Sequence, residues 1–223
     1  MIYAFHDEAG KDHLVLKGES YKYLIKVRRH NVGDTLHFRQ RDTLEMLHTY
    51  NIIELDGRSA TCERTLSQEN TSKASKSLHL AWCVIDAKSV EKVLPMLNEI
   101  GVAKITFIYC DRSQKNFKPD YKRFERILES SMQQCGRSER MQFDEVKSLS
   151  VFIELNPQTV VFDFCDAVYS DTMDVDTVLI GTEGGFSESE RELLASQKMF
   201  RLDTPLILRS ETAALAVASK VLF

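Results

Sequence analysis

The stretch Ile180-Gly181-Thr182-Glu183-Gly184-Gly185-Phe186 follows an apolar run, Thr177–Ile180, and precedes a helix signal at Ser187. Three of the chain's nine glycines fall within it. Ser187 and Glu190 have capping-box spacing, which predicts a helix from Ser187 to Gln197. Strand, glycine turn and capped helix make up the repeating unit of an α/β domain. Glycine there lets the backbone approach a ligand beside the free N–H groups of a helix start. Tight turns also use glycine, so the loop alone leaves a purely structural reading open. It is neither a Walker loop, since no GK[ST] follows, nor a GxGxxG fingerprint.

Upstream, the same alternation recurs. Leu78–Ile85 is almost continuously apolar, as a strand buried on both faces should be. A helix follows, with Ser89 as candidate N-cap, Val90, Val93, Leu94, Leu97 and Ile100 on one face, and Gly101 at the left-handed C-cap. Lys104–Cys110 reads as a strand. Pro119 opens a helix carrying Tyr121, Phe124, Ile127, Leu128 and Met132, closed by Gly136. Thr159–Phe164 and Met199–Asp203 read as further strands. The expected fold is therefore α/β with a mostly parallel sheet.

The first 66 or so residues read differently. Short strands at His13–Leu16, Thr35–Arg39, Glu45–Ile53 and Ser59–Thr65 are separated by Gly10, Gly33-Asp34 and Asp56-Gly57, which suggests a small β-barrel. A short helix is expected over Ser20–Arg29 with Ser20 as N-cap. Ser67–Ser77, with Ala74 its one apolar residue, reads as a linker.

Downstream lies Leu202-Asp203-Thr204-Pro205-Leu206-Ile207-Leu208-Arg209-Ser210-Glu211-Thr212-Ala213-Ala214. Here a strand ends, an apolar loop follows, and a polar cluster opens a helix running to Phe223. Ser210 could be that helix's N-cap and Glu211 would favour its positive end. An arginine in an otherwise apolar loop is harder to explain structurally. The helix is apolar almost all round, so it must be buried in the core or against a second subunit.

Bulk properties narrow the function classes. The net charge is −4, yet Lys22, Lys26, Arg28 and Arg29 cluster without an acid, and Met141–Glu190 is acidic with Lys147 its one basic residue. That asymmetry suggests a basic face on an acidic body. No stretch approaches the roughly 18 apolar residues of a membrane span, and polar residues come too early for a signal peptide. Cys62, Cys83, Cys110, Cys135 and Cys165 lack a CxxC pair, as expected of reduced thiols in a cytoplasmic protein without a metal site. All six histidines lie at or before His79. The chain beyond cannot supply a Ser-His triad, a Cys-His pair or a histidine zinc site.

Taken together, these segments resemble the RsmE-type family of bacterial ribosomal RNA uridine N3-methyltransferases, whose GPEGGF loop and ILRTETA segment appear here as Gly181–Phe186 and Ile207–Ala213. Upstream, Gln134-Cys135-Gly136-Arg137 is similar to its EQSGR-like element with Gln133 in place of the glutamate, and Asp111-Arg112-Ser113 to its ERS element. Leu24–Arg29 followed by Val32-Gly33-Asp34 is similar to its HLVKVLR…VGD stretch. Thr182 stands where the family has proline and Arg28 where it has leucine, and the early arginine-rich start is absent.

The resemblance implies a PUA-like β-barrel for RNA over residues 1–70, a linker at about 67–77, and a SPOUT methyltransferase domain over 71–223 with a C-terminal trefoil knot. It implies S-adenosyl-L-methionine held in three loops. These carry Phe162, Asp163 and Phe164; Gly181, Thr182, Glu183, Gly184, Gly185 and Phe186; and Leu202, Leu206, Leu208, Arg209, Ser210, Thr212 and Ala213. Leu202, Leu206 and Leu208 would wall the adenine. The implied reaction is methylation of N3 of a specific uridine in small-subunit (16S) ribosomal RNA, free or in the small ribosomal subunit, by a homodimer formed through the knot. Arg209 is the first candidate for stabilising charge on the uracil oxygens. Glu183 or Glu211 would accept the N3 proton or balance the sulfonium. Lys22, Lys26, Arg28, Arg29, Arg112 and Arg137 are candidates for phosphate contacts. The competing readings are a related methyltransferase acting on another ribosomal or transfer RNA base, and a non-catalytic RNA-binding ribosome-assembly factor.

Overall fold

The computed structural model describes residues 2–170 and 173–223; Met1, where the expected barrel begins, lies outside them. The chain divides into two compact units. One comprises the residues up to Lys73 together with Met132–Glu139, the other Ala74–Ser131 with Arg140–Phe223.

The first unit is a five-stranded sheet of β1 (Ala4–Phe5), β2 (His13–Leu16), β3 (Thr35–Arg39), β4 (Met46–Leu55) and β5 (Ala60–Glu69), in the order β1-β3-β4-β5-β2. Only β1 runs parallel to its neighbour. Alternation along β2 buries Leu14 and Leu16 against Leu24, Phe38, Tyr50, Ile52 and Cys62. β5 continues into the expected linker as far as Glu69 because Met46, Leu47 and His48 of β4 pair with Glu69, Gln68 and Ser67. Ladder bonds form between backbones, so polar side chains do not end the strand. The early helix also begins sooner than expected. α1 (Gly18–Tyr21) starts after Lys17 and passes into a π-helical turn over Lys22–Val27. Ser20 cannot cap it, because its hydroxyl donates to the Lys17 carbonyl (2.8 Å).

Met132–Glu139 completes this unit. Ile2 N donates to Gln133 O (2.8 Å), Phe5 N to the Gln133 side chain (3.1 Å), and the Tyr3 hydroxyl to Arg137 O (2.7 Å). Ser72 and Ser138 exchange backbone and hydroxyl bonds. Gly136, at φ 89°, makes the turn that only glycine adopts freely.

The second unit is a parallel sheet of six strands: β6 (Leu78–Cys83), β7 (Val102–Ile108), β8 (Gln142–Val146), β9 (Val160–Phe162), β10 (Thr177–Ile180) and β11 (Lys198–Phe200). Its order is β11-β9-β10-β6-β7-β8, and every pairing is parallel. The helices are α2 (Ala87–Ile100), α3 (Tyr121–Cys135, its end from Met132 on belonging to the first unit), α4 (Leu149–Leu155), α5 (Glu188–Leu193) and α6 (Ser210–Leu222). Leu80 and Trp82 of β6 enter the larger core with α2 and α6, while Ala81 and Cys83 enter the opposite one with Phe152 of α4. Burial on both faces explains the unbroken apolar run.

Details of this unit refine the reading. α2 is capped by Asp86, whose carboxylate accepts from Ser89 N (3.0 Å); Ser89 is the donor in that cap, three residues in. The capping box at Ser187 and Glu190 is present, and α5 ends at Leu193 in a 3-10 turn. α6 begins at Ser210 with Arg209 in the N-cap position, its side chain not capping. No helix among the described residues is long and apolar enough to cross a membrane.

Gly101 closes α2 at φ 101°, and a Cβ there would collide with the Cβ of Ala74. Gly101→Ala should therefore lower unfolding free energy by at least ~1 kcal/mol. Urea melts of both proteins check this, and coincident midpoints would contradict the packing described.

Candidate active site

Because the strands are all parallel, β9, β10 and β11 open their carboxyl ends onto one edge, where ligands of such sheets bind. A cleft with about 770 Å3 of empty space, counting its mouth, lies there. Phe162, Asp163 and Phe164 enter it from β9, and Ile180 to Glu183 with Gly185 from β10. Arg201, Leu202, Thr204, Leu206, Ile207 and Leu208 come after β11; Ser210, Ala213 and Val217 come from α6. Three loops far apart in sequence thus converge on one space.

The glycine loop is a tight turn. Gly185, at φ 67°, donates its N–H to Thr182 O (2.9 Å), and the Thr182 hydroxyl donates back to Gly185 O (3.2 Å). A hydroxyl therefore closes the turn where the family has proline. A Cβ on Gly181 would stand 3.3 Å from the Phe186 ring. Phe186 itself is buried among Ala81, Cys83 and Leu194, so it supports the loop from beneath and does not line the cleft.

Two polar side chains fix the loop from opposite sides. Ser210, buried, accepts from the Trp82 indole N–H (2.8 Å) and donates to Gly181 O (2.6 Å). One hydroxyl thus joins β6, the glycine loop and α6, with donor and acceptor both used. Glu190 accepts from Asp111 N and from Ser187 N, each at 2.8 Å. The Ser187 hydroxyl donates to the Asp111 carboxylate (2.5 Å), and Arg112 donates to Gly184 O. The chain after β7 is thereby held against the glycine loop. Glu190 is legible in sequence as a capping residue, but its second bond reaches across 79 positions and no local pattern signals it.

The cleft carries the carboxylates of Asp163 and Glu183 and the guanidinium of Arg201. The Asp163 side chain is 5% exposed, and Oδ2 stands 2.9 Å from the Arg191 guanidinium, an ion pair in which no N–H points well at the oxygen. Glu183 is exposed at the mouth. Among the described residues no group of His, Cys, Asp and Glu is arranged to hold a metal ion. The mouth also presents apolar side chains to water: Phe164, Leu206 and Ile207 are 65%, 71% and 82% exposed.

The remaining expected residues are placed as follows. Arg209 and Thr212 are exposed and do not line the cleft, and neither does Gly184. Glu211 is buried away from it, with Oε2 unpartnered. In the first unit Lys22, Lys26, Arg28 and Arg29 are all exposed, Lys26 over the Tyr21 ring and Arg28 bonded to the Tyr23 hydroxyl (2.9 Å). Arg137 is 4% exposed, its Nη2 3.5 Å from Glu139. Sequence reasoning missed Arg201, Thr204, Ile207 and Val217, which look like ordinary loop or core residues until the loops converge.

The RNA methyltransferase domain family matches residues 72–222. The chain is 34% identical to ribosomal RNA small subunit methyltransferase E of Helicobacter pylori (strain 26695) over 223 residues, 98% of each. It is 27% identical to the same-named protein of Aquifex aeolicus over 208 residues, 84% of this chain and 90% of that one. In fold it is similar to the Neisseria gonorrhoeae ribosomal RNA small subunit methyltransferase E bound to S-adenosyl methionine (TM-score 0.74, 18% identity, 98% and 95% coverage). It is likewise similar to a Legionella pneumophila protein solved with that cofactor (TM-score 0.76, 23% identity, 99% and 95% coverage).

Ser210→Ala would leave a buried indole N–H and a carbonyl without partners, at a cost of about 1–3 kcal/mol. Urea unfolding of this variant should show that loss; stability equal to wild type would mean the hydroxyl bridge does not tie the loop.

Proposed function

We propose that this chain, which belongs to the ribosomal RNA small subunit methyltransferase E family, transfers the methyl group of S-adenosyl-L-methionine to N3 of a specific uridine in small-subunit ribosomal RNA. The observation that carries the reading is the convergence of three strand-end loops on one glycine-cradled cleft in a chain related to that family over nearly its whole length.

The cleft's chemistry fits the donor. Leu202, Leu206, Ile207 and Val217 offer an apolar wall of the kind an adenine ring needs, and the close-set Gly181–Gly185 backbone offers N–H and C=O groups. Glu183 supplies negative charge to a ligand whose amine and sulfonium are both positive, while the Asp163 carboxylate is already paired with Arg191. When bound, that ligand supplies an activated methyl group. The chain's own residues must then hold uracil N3 in line and remove its proton, because protonated N3 is a poor nucleophile. Of the two glutamates considered, Glu183 is exposed in the cleft and Glu211 is buried outside it. Glu183 is therefore the better-placed proton acceptor. Arg209, exposed at the head of α6, would stabilise charge on the uracil oxygens once RNA is seated.

The same reading assigns about residues 1–70, the bulk of the first unit, to RNA binding as a PUA-like barrel, the exposed Lys22, Lys26, Arg28 and Arg29 facing phosphates. The second unit would be a SPOUT domain with a C-terminal trefoil knot, dimeric through that region and cytoplasmic. The exposed Ile207 and Phe223 support a covering surface there.

Calorimetry should show S-adenosylmethionine binding in the micromolar range, and no binding at high micromolar concentration would remove the methyltransferase reading. Mass spectrometry of small-subunit ribosomal RNA from a deletion strain should show one uridine lacking its N3 methyl; an unchanged pattern would redirect the target. Glu183→Gln should lower kcat about 100-fold, and a flat effect at every pH would assign the proton elsewhere.

A further inference from the structure

A second, open hollow, with about 950 Å3 of space counting the solvent at its mouth, adjoins the cleft, and Thr182 and Glu183 belong to both. Its far side is the chain past β7, Arg112 to Asn116, and its floor is Val84, Ile85 and Asp86 past β6, the Asp86 carboxylate being engaged as the α2 cap by Ser89 N. The geometry points to this cavity as the acceptor-nucleotide subsite, taking a single unstacked uridine with its base against Glu183 and its phosphate toward Arg112 and Lys115. This rests on the methyltransferase reading above.

Three observations support it. Methyl transfer needs donor and acceptor to meet across one short gap, and the two hollows adjoin at Thr182 and Glu183, which line both. The far side is held in place, since Glu190 accepts from Asp111 N and Gln114 N donates to Val84 O (3.3 Å). Arg112 is seated on the glycine loop: it donates to Gly184 O, and its Cδ lies 3.3 Å from where a Gly184 Cβ would stand. Finally, the side chains of Gln114, Lys115 and Asn116 are exposed and make no hydrogen bond or ion pair among the described residues. Two carboxamides can read the donor and acceptor edge of a uracil, and an ammonium can meet a phosphate. A base flipped from its stack requires such a polar pocket.

The test uses the full chain and small ribosomal subunits from the deletion strain. Q114A/N116A and Lys115→Glu should keep S-adenosylmethionine affinity within about twofold of wild type, while kcat/KM for the subunits falls at least roughly tenfold. Retained cofactor binding also reports that the variants fold. Wild-type kcat/KM in both variants would overturn the proposal. So would a joint loss of cofactor binding, which would assign the loop to the donor cleft. If the wild-type protein itself neither binds the cofactor nor methylates, it is the underlying reading that fails.

Discussion

The second unit depends on a hydroxyl shared between an indole and a carbonyl. Ser210 lies at the start of α6, Trp82 on a central strand, and Gly181 at the exit of β10. Ser210 and the Trp82 indole are shielded from water, where an unmade hydrogen bond is expensive. Satisfying the Trp82 N–H and the Gly181 carbonyl together therefore fixes where α6 can start. That in turn fixes Ala213 and Val217 as one wall of the cleft and sets the apolar 202–208 segment opposite the glycine turn. The apolar character of α6 follows from the same placement, since its faces meet α2, β6 and β10.

On the other side of the glycine loop the constraint is electrostatic. Glu190 holds two backbone N–H groups from segments 76 positions apart, Asp111 and Ser187. A carboxylate is well suited to this, because each oxygen can take one N–H and charge-assisted bonds are stronger than neutral ones. The loop is thus pinned from α6 by a neutral bridge and from β7 by a charged one. Between the two pins, the exposed Glu183 faces the cleft.

Much of this was legible in order and kind. The apolar run at Leu78–Ile85, the capping box at Ser187 and the glycine at position 101 each carry a local physical signal, and each element is where that signal placed it. β8 and α4 carried weaker ones: Gln142–Val146 is an edge strand with little apolar content, and α4 is a short helix. Caps were misassigned by one rule. A serine near a helix start reads as an acceptor for the helix, whereas Ser20 donates to a carbonyl and Ser89 offers its N–H to Asp86. The cleft was legible as three loops but not as a lining, because which faces of 201–208 turn inward depends on β9 and α6. The unit boundary was the least legible part. Met132–Glu139 belongs with a sheet that begins more than a hundred residues earlier, joined by hydrogen bonds that leave no mark in local composition.

That last feature bears on how the protein is made. The strands of the first unit are all made by Glu69, yet its Tyr3 hydroxyl and Ile2 N–H donate to Arg137 and Gln133. A ribosome must therefore synthesise some sixty further residues before that sheet is fully satisfied, and the parallel sheet waits longer still for α6. Neither unit can mature strictly in the order of translation. The nascent chain instead carries two half-built cores at once, and the glycine cradle becomes competent only when the Ser210 region has emerged, so this fold assembles its binding cleft as a late event in its own biosynthesis.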